Sequence, residues 1–290
     1  SNDIATAADG SLPKFFQCLR ENNVTLVSAH RGGPDKGYPE NALETFENTT
    51  SSAASIVELD VVRSKDGKLF LLHDDTLERI TTLSGKVNDH NWAELKEAIL
   101  KDNFGSVTDF HPPSLMETLI WAEKKVLLQI DMKPPLDVNL VVDEVVAAGA
   151  EGRVFYIAYS TQDAKKILEK LPNAFVSLGI ANQNELDYLI NSGIQTQQIH
   201  SLTPNIEENK NFLKTLNDVG ITTVGLTFDL EFENARPNKL HDWNEVVKQY
   251  EALANSGIEI LASNKPIDAF IALSQQLDYQ KSLKACLVGL

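Results

Sequence analysis

Nine short apolar runs punctuate the chain, at residues 24–28, 56–62, 69–72, 126–130, 154–159, 175–180, 198–202, 221–227 and 258–262. They are rich in Val, Ile, Leu and Phe, as strands covered on both faces are. Between most of them lie stretches with a helical repeat, at 43–52, 115–124, 137–148, 161–171, 184–191, 207–218 and 242–256, and one more follows Pro266. Alternating strands and helices predict a parallel sheet with crossover helices, and at this length a closed TIM-type (β/α)8 barrel of the α/β class. A barrel of this type holds eight strands, so one of the nine, 175–180 or 198–202, is expected to be short or to lie outside it. Runs 56–62 and 69–72 stand too close for a helix between them; if they are parallel, an extended segment must return the chain.

Two segments fall outside the alternation. Residues 12–21 read as an amphipathic helix with Phe15, Phe16 and Leu19 on one face. This predicts an N-terminal extension over 1–22, a plug or flap packed on one barrel domain spanning 23–290. Residues 76–113 are polar and read as a small insertion at the mouth of the barrel. Within it Asn91 is expected to cap a helix over 92–100, with Glu94 completing a capping box, and Ser114 with Glu117 opens the next helix in the same manner.

Composition narrows the partners. With 290 residues and 42% hydrophobic content the chain can bury a full core, while a formal net charge of -15 argues against a nucleic-acid surface or a polybasic membrane patch. No apolar run approaches the ~20 residues of a membrane span, so no stable membrane insertion is expected. The chain opens at Ser1 without a methionine, which reads as a processed or appended terminus. A periplasmic or secreted setting is expected, with a cytoplasmic one as the alternative. Two cysteines, Cys18 and Cys286, are too few for a disulfide framework and fit no metal cluster. They are either a bridge between N-terminal helix and C-terminal segment or two unrelated buried thiols.

The candidate chemistry lies where strands end. Val24 to Ser28 runs into His30-Arg31-Gly32-Gly33, and Pro39-Glu40-Asn41 follows, with Asn41 expected to cap the helix over 43–52. In the run 56–62, Glu58 and Asp60 alternate with Val and Leu, so both carboxylates share one face of a core strand, which is costly unless something positive sits between them. The run 69–72 leads into His73-Asp74, and 126–130 leads into Asp131-Met132-Lys133, stopped by Pro134-Pro135. Active sites of barrels form at the C-terminal ends of the strands. Glu58, Asp60 and Asp131 would make an all-oxygen site for one hard divalent ion, Mg2+ or Ca2+. His30 and His73 suit a general acid and a general base, and Arg31 with Lys133 suits an anionic group, for which phosphate fits best.

The sequence resembles the glycerophosphodiester phosphodiesterases, within the wider set of phosphodiesterases similar to phosphatidylinositol phospholipase C. The resemblance rests on His30-Arg31-Gly32, Pro39-Glu40-Asn41, Glu58-Leu59-Asp60-Val61, the Asp66-Gly67 turn, His73-Asp74, Asp131-Met132-Lys133 and Ser263-Asn264-Lys265-Pro266. It implies a TIM barrel that hydrolyses small glycerophosphodiesters to sn-glycerol 3-phosphate and an alcohol. His30 and His73 would be the acid/base pair, Glu58, Asp60 and Asp131 the metal ligands, and Glu40, Asn41 and Asp74 supporting residues. Ala42, Asp131 and Asn264 stand where the family usually carries Thr, Glu and Asp. Two other readings use the same residues: a lipid phosphodiesterase of phospholipase C or D type, which an apolar rim with exposed aromatics would favour, and a non-catalytic barrel stabilised by metal, which would leave both histidines without purpose.

Overall fold

The alternation in strand Ser55–Arg63 (β2) decides what faces the inside of the sheet and what faces the helices. Val57, Leu59 and Val61 pack with Leu115, Leu119 and Val141 of the outer helices, whereas Ile56 belongs to the same core as the aromatic residues at the barrel floor. Glu58 and Asp60, two and four residues beyond Ile56, therefore point inward and are buried. The computed structural model describes residues 12–233 and 241–288. The other strands are Leu26–Ala29 (β1), Leu69–Leu71 (β3), Leu128–Asp131 (β4), Val154–Ile157 (β5), Val176–Gly179 (β6), Ile199–Thr203 (β7), Thr222–Leu226 (β8) and Ile260–Ser263 (β9). All but β3 pair in parallel in the order β1-β2-β4-β5-β6-β7-β8-β9, and β9 returns to β1, which closes a TIM barrel.

The strand outside the barrel is neither of the two expected. Both 176–179 and 199–203 are barrel strands, and it is β3 that departs, running antiparallel to the upper end of β2 with Val61 opposite Leu71 and Arg63 opposite Leu69. The short spacing thus makes a hairpin through Asp66-Gly67, and Gly67 takes a φ of 92° in that turn. The hairpin brings the chain back down to the rim, where Leu72 N–H donates to the carbonyl of Asp60 at 3.2 Å.

The floor is closed by helix Leu12–Glu21; residues 1–11 of the predicted extension lie outside the described residues. Its Leu12, Phe15, Phe16 and Leu19 are buried, and the Phe16 ring lies 4.6 Å from His200 and 4.9 Å from Phe175. His200 is wholly buried among these rings, and desolvation pushes its imidazole down to about 3. Cys18 and Cys286 form a disulfide, with Cα atoms 5.5 Å apart, joining this helix to the C-terminal helix Tyr279–Val288, an element the sequence pattern did not separate from the one after Pro266.

The insertion has a small core of its own, in which Leu77, Ile80, Val87, Leu95 and Leu100 gather around Phe70 and Leu72. This overrides the predicted helix over 92–100. Only Trp92–Leu95 is helical, because burying Leu100 takes the chain into a bridge with Thr81. Asn91 makes no side-chain cap; the Trp92 N–H donates instead to Asp66 Oδ1 at 2.9 Å. The Ser114–Glu117 capping box is present as predicted. Among the described residues no helix is long and apolar enough to cross a membrane.

Candidate active site

The turn after β1 sets the geometry of the rim. Arg31, Gly32 and Gly33 all have positive φ, at 51°, 84° and 79°. A Cβ on Gly32 would stand 2.2 Å from Phe46, and one on Gly33 would stand 2.4 Å from Pro266, so both positions demand glycine for space as well as conformation. Arg31 has no such excuse, and a left-handed arginine costs about 1–2 kcal/mol. The conformation aims its backbone N–H at Glu58 Oε2, 2.7 Å away.

Glu58, Asp60 and Asp131 converge as predicted. Asp60 and Asp131 are register partners on β2 and β4, and one carboxylate oxygen from each of the three lies within 4.8 Å of the others. Burial, with Asp60 and Asp131 beside it, pushes Glu58 well above the usual carboxylate range. Burial and the Asp60 charge likewise push Asp131 up to about 6, against the pull of Lys133. Lys133 Nζ is 3.2 Å from Asp60 Oδ1, and Arg31 Nε is 3.8 Å from Asp60 Oδ2. Asp131 Oδ2 accepts from the Tyr159 hydroxyl at 3.1 Å, while its buried Oδ1 has no hydrogen-bond partner among the described residues. Three crowded acids with an orphaned anionic oxygen form a set of hard donors that fits a divalent cation.

Asn41 does not cap the helix Leu43–Ser52. Its own φ of 55° turns it inward, and its amide is taken by Asp60: Nδ2 donates to Oδ2 at 2.9 Å, and Oδ1 accepts from the Asp60 N–H at 3.0 Å. The cap position falls to Ala42, which has no side chain to offer. Asn41 is thus a brace for a carboxylate, and the local capping preference yields to a bond made 19 residues away.

Each histidine is held by its Nδ1. His30 Nδ1 lies 2.6 Å from Asn264 Oδ1 and must donate to it, which leaves Nε2 with its lone pair. One face of the ring stacks on Phe228 at 4.1 Å between centroids. Desolvation lowers the His30 pKa to about 4, and Arg31 adds to this effect while the Asn264 bond opposes it, so the ring is neutral across the physiological range. Asn264 is itself anchored through its N–H on Glu233, whose buried carboxylate also accepts from Thr227, Tyr250 and Ser263. His73 differs, because its Nδ1 donates to a carboxylate, Asp74 Oδ1, at 2.7 Å.

Arg79, from the insertion, joins these pieces. Its guanidinium grips Asp74 at 2.7 and 2.9 Å and Glu40 at 2.6 and 3.1 Å. Glu40, wholly buried, also accepts from Arg31 Nη1 at 3.1 Å and from Asn103 at 2.8 Å. Burial alone would raise the Glu40 pKa; the two guanidinium groups outweigh it and hold it below the usual value. Arg79, Asn103, Tyr159, Phe228 and Glu233 were not among the residues singled out from the sequence. The strand-end position of Asn264 within Ser263-Asn264-Lys265-Pro266 was the one available signal for its role.

Fold and rim together define a TIM barrel whose C-terminal mouth carries an acidic centre with the His30 imidazole beside it, and a second imidazole, His73, tied through Asp74 and Arg79 to Glu40. The chain belongs to the glycerophosphoryl diester phosphodiesterase family, whose model matches residues 30–240. It is similar to a glycerophosphodiester phosphodiesterase of Bacillus altitudinis, 34% identical over 38% of this chain and 46% of that one. A glycerophosphodiester phosphodiesterase of Caldanaerobacter subterraneus is 32% identical over 51% of this chain and 64% of its own. The matched segments thus span about half to two thirds of these relatives. In structure the chain is similar to a glycerophosphoryl diester phosphodiesterase from Parabacteroides distasonis, with a TM-score of 0.81 and 28% identity over 92% of this chain and 94% of that one.

Proposed function

We propose that this protein hydrolyses glycerophosphodiesters to sn-glycerol 3-phosphate and an alcohol, with one Mg2+ or Ca2+ held by Glu58, Asp60 and Asp131. The observation that carries this reading is the convergence of those three carboxylates, within 4.8 Å, beside Arg31, Lys133 and the free Nε2 of His30. A divalent ion, when bound, supplies positive charge to the phosphoryl oxygens. Arg31 and Lys133, already bracketing Asp60, add charge for the phosphate as it becomes more anionic.

The two histidines divide the proton transfers. His30 is backed by an uncharged amide and desolvated, which disfavours the imidazolium and suits a base; its Nε2 takes the proton of the attacking hydroxyl or water. His73 is oriented by the hydrogen bond from its Nδ1 to the Asp74 carboxylate, and as the acid of the pair its Nε2 gives a proton to the leaving alcohol oxygen. A periplasmic or secreted setting accords with the Cys18–Cys286 bond, since disulfides persist in oxidising compartments.

The test is an assay of the purified chain on a panel of glycerophosphodiesters with and without EDTA, followed by readdition of Mg2+ or Ca2+. Release of sn-glycerol 3-phosphate that EDTA abolishes and one of the two ions restores is expected. Hydrolysis indifferent to EDTA would remove the metal from this reading, and no hydrolysis of any diester would remove the reading itself.

A further inference from the structure

On the His30 side the acidic centre opens into a cavity of about 690 Å³. Pockets of ~300–1,000 Å³ enclose a drug-sized ligand, so this one is far larger than a phosphate or a glycerol needs. His30, Glu58 and Asp131 form one end of it. Beyond them much of the wall is apolar, built from Ile157, Leu202 and Leu226 at strand ends and from Phe228, with Tyr159 and Tyr188 at the outer edge. Tyr188 is 67% exposed and, with the 52% exposed Tyr159, puts two aromatic rings where a chain entering the cavity would cover them. Gly179 leaves part of the wall bare, because a Cβ there would meet no atom within 4 Å. The cations Lys133 and Arg31 do not line this wall, while Glu185 and Asn184 add polar atoms to it.

A small polar group such as ethanolamine or glycerol would leave most of this cavity unfilled and bury apolar surface against its own hydroxyl or ammonium groups, which is unfavourable. A hydrocarbon chain would gain from the same surface. We propose, resting on the phosphodiesterase reading above, that the substrate is a phosphodiester one of whose ester groups carries an apolar alkyl or acyl chain, and that this chain occupies the cavity on the His30 side. The chain reaches the site as part of a single dispersed molecule, with its outer end beneath Tyr188.

The experiment uses the full chain with the restoring ion and three substrates kept in monomeric solution. Glycerophosphoethanolamine has no chain, glycerophospho-octanol carries it on the alcohol, and 1-octanoyl-glycerophosphoethanolamine carries it on the glycerol. Burial of each methylene is worth about a fourfold gain, so one of the two octyl substrates should exceed glycerophosphoethanolamine in kcat/KM by about 10²-fold or more, and the better arm identifies the ester group concerned. Gly179→Phe, which fills open space, should reduce that preference about tenfold or more, and Tyr188→Ser, at an exposed position, should reduce it severalfold. Equal or lower kcat/KM for both octyl substrates overturns the apolar site while leaving the phosphodiesterase reading intact. A preference undiminished in both variants overturns the placement of the chain in this cavity. Failure to hydrolyse any of the three removes the parent reading and this one with it.

Discussion

Asn41 and Asp60 are bonded twice, amide to carboxylate at 2.9 Å and amide oxygen to backbone N–H at 3.0 Å, so the second bond holds the Asn41 amide in place to fix the Asp60 carboxylate through the first. Asp60 is also the residue that Arg31 and Lys133 bracket, at 3.8 and 3.2 Å. A carboxylate so surrounded would swing toward either cation if its bond from Asn41 Nδ2 were lost. Partners of this kind behind a metal ligand typically contribute 10- to 100-fold in affinity. Asn41→Ala should therefore weaken Mg2+ or Ca2+ binding by about that factor, read by calorimetric titration of the metal-free protein. An unchanged titration alongside a lowered Tm would make Asn41 a purely structural residue.

Replacing either histidine should cost turnover more than it costs binding of the ion. His30→Ala and His73→Ala are each expected to lower kcat by about 10² or more, with metal affinity largely retained. Asp74→Asn, which leaves the His73 ring a neutral partner, should cost less. Near-normal activity of His73→Ala on every active diester would end the two-histidine mechanism.

The pH dependence carries a sign. His30 must be neutral to accept a proton, and burial holds its pKa down at about 4, so lowering the pH through neutral leaves it ready to act. Asn264→Asp would set a carboxylate against its Nδ1, favour the imidazolium and raise that pKa. The acid limb of kcat/KM should then move to higher pH, with the loss greatest near pH 5–6 and small at pH 8. An acid limb that stays in place, in a variant of unchanged Tm, would show that His30 does not serve as the base.

How much of this was legible in the sequence depended on the range over which each feature is determined. The alternation of Glu58 and Asp60 with Val and Leu is local, and it carried both the strand and the inward direction of the acids. His30, His73 and Asp131 were marked by standing where apolar runs end. The role of Asn41 was misread because a capping signal is also local, whereas its actual partner, Asp60, is brought near only when the barrel closes. Arg79 and Asn103 lie in a polar segment in which nothing distinguishes the side chains that reach Glu40 from those that face water. Similarly, Ile157, Leu202 and Leu226 look in sequence like any strand residues; apolar positions carry no mark that says whether they pack or line a void. The ninth strand was misplaced because strand length was weighed and strand direction was not.

The Cys18–Cys286 bond should be measurable as stability. A bond of this kind typically contributes about 2–4 kcal/mol, chiefly by restricting the unfolded chain. The Cys18→Ser, Cys286→Ser double variant should lose that amount of unfolding free energy and so unfold at lower denaturant concentration, with the m-value reporting any change in the unfolded state. Coincident unfolding curves with and without reductant, or equal masses after alkylation with and without prior reduction, would exclude the bond.

That same bond makes a ring of nearly the entire polypeptide, since its two cysteines are 268 residues apart in the sequence. A protease that cuts once within the ring, for instance in a surface loop at the barrel mouth, would open it without separating the pieces. The two pieces would stay joined until reduced, and the new ends would lie at the cut while Cys18 and Cys286 stayed tied beneath the floor. In effect the cut would yield a permuted chain whose linker is the Cys18–Cys286 bond.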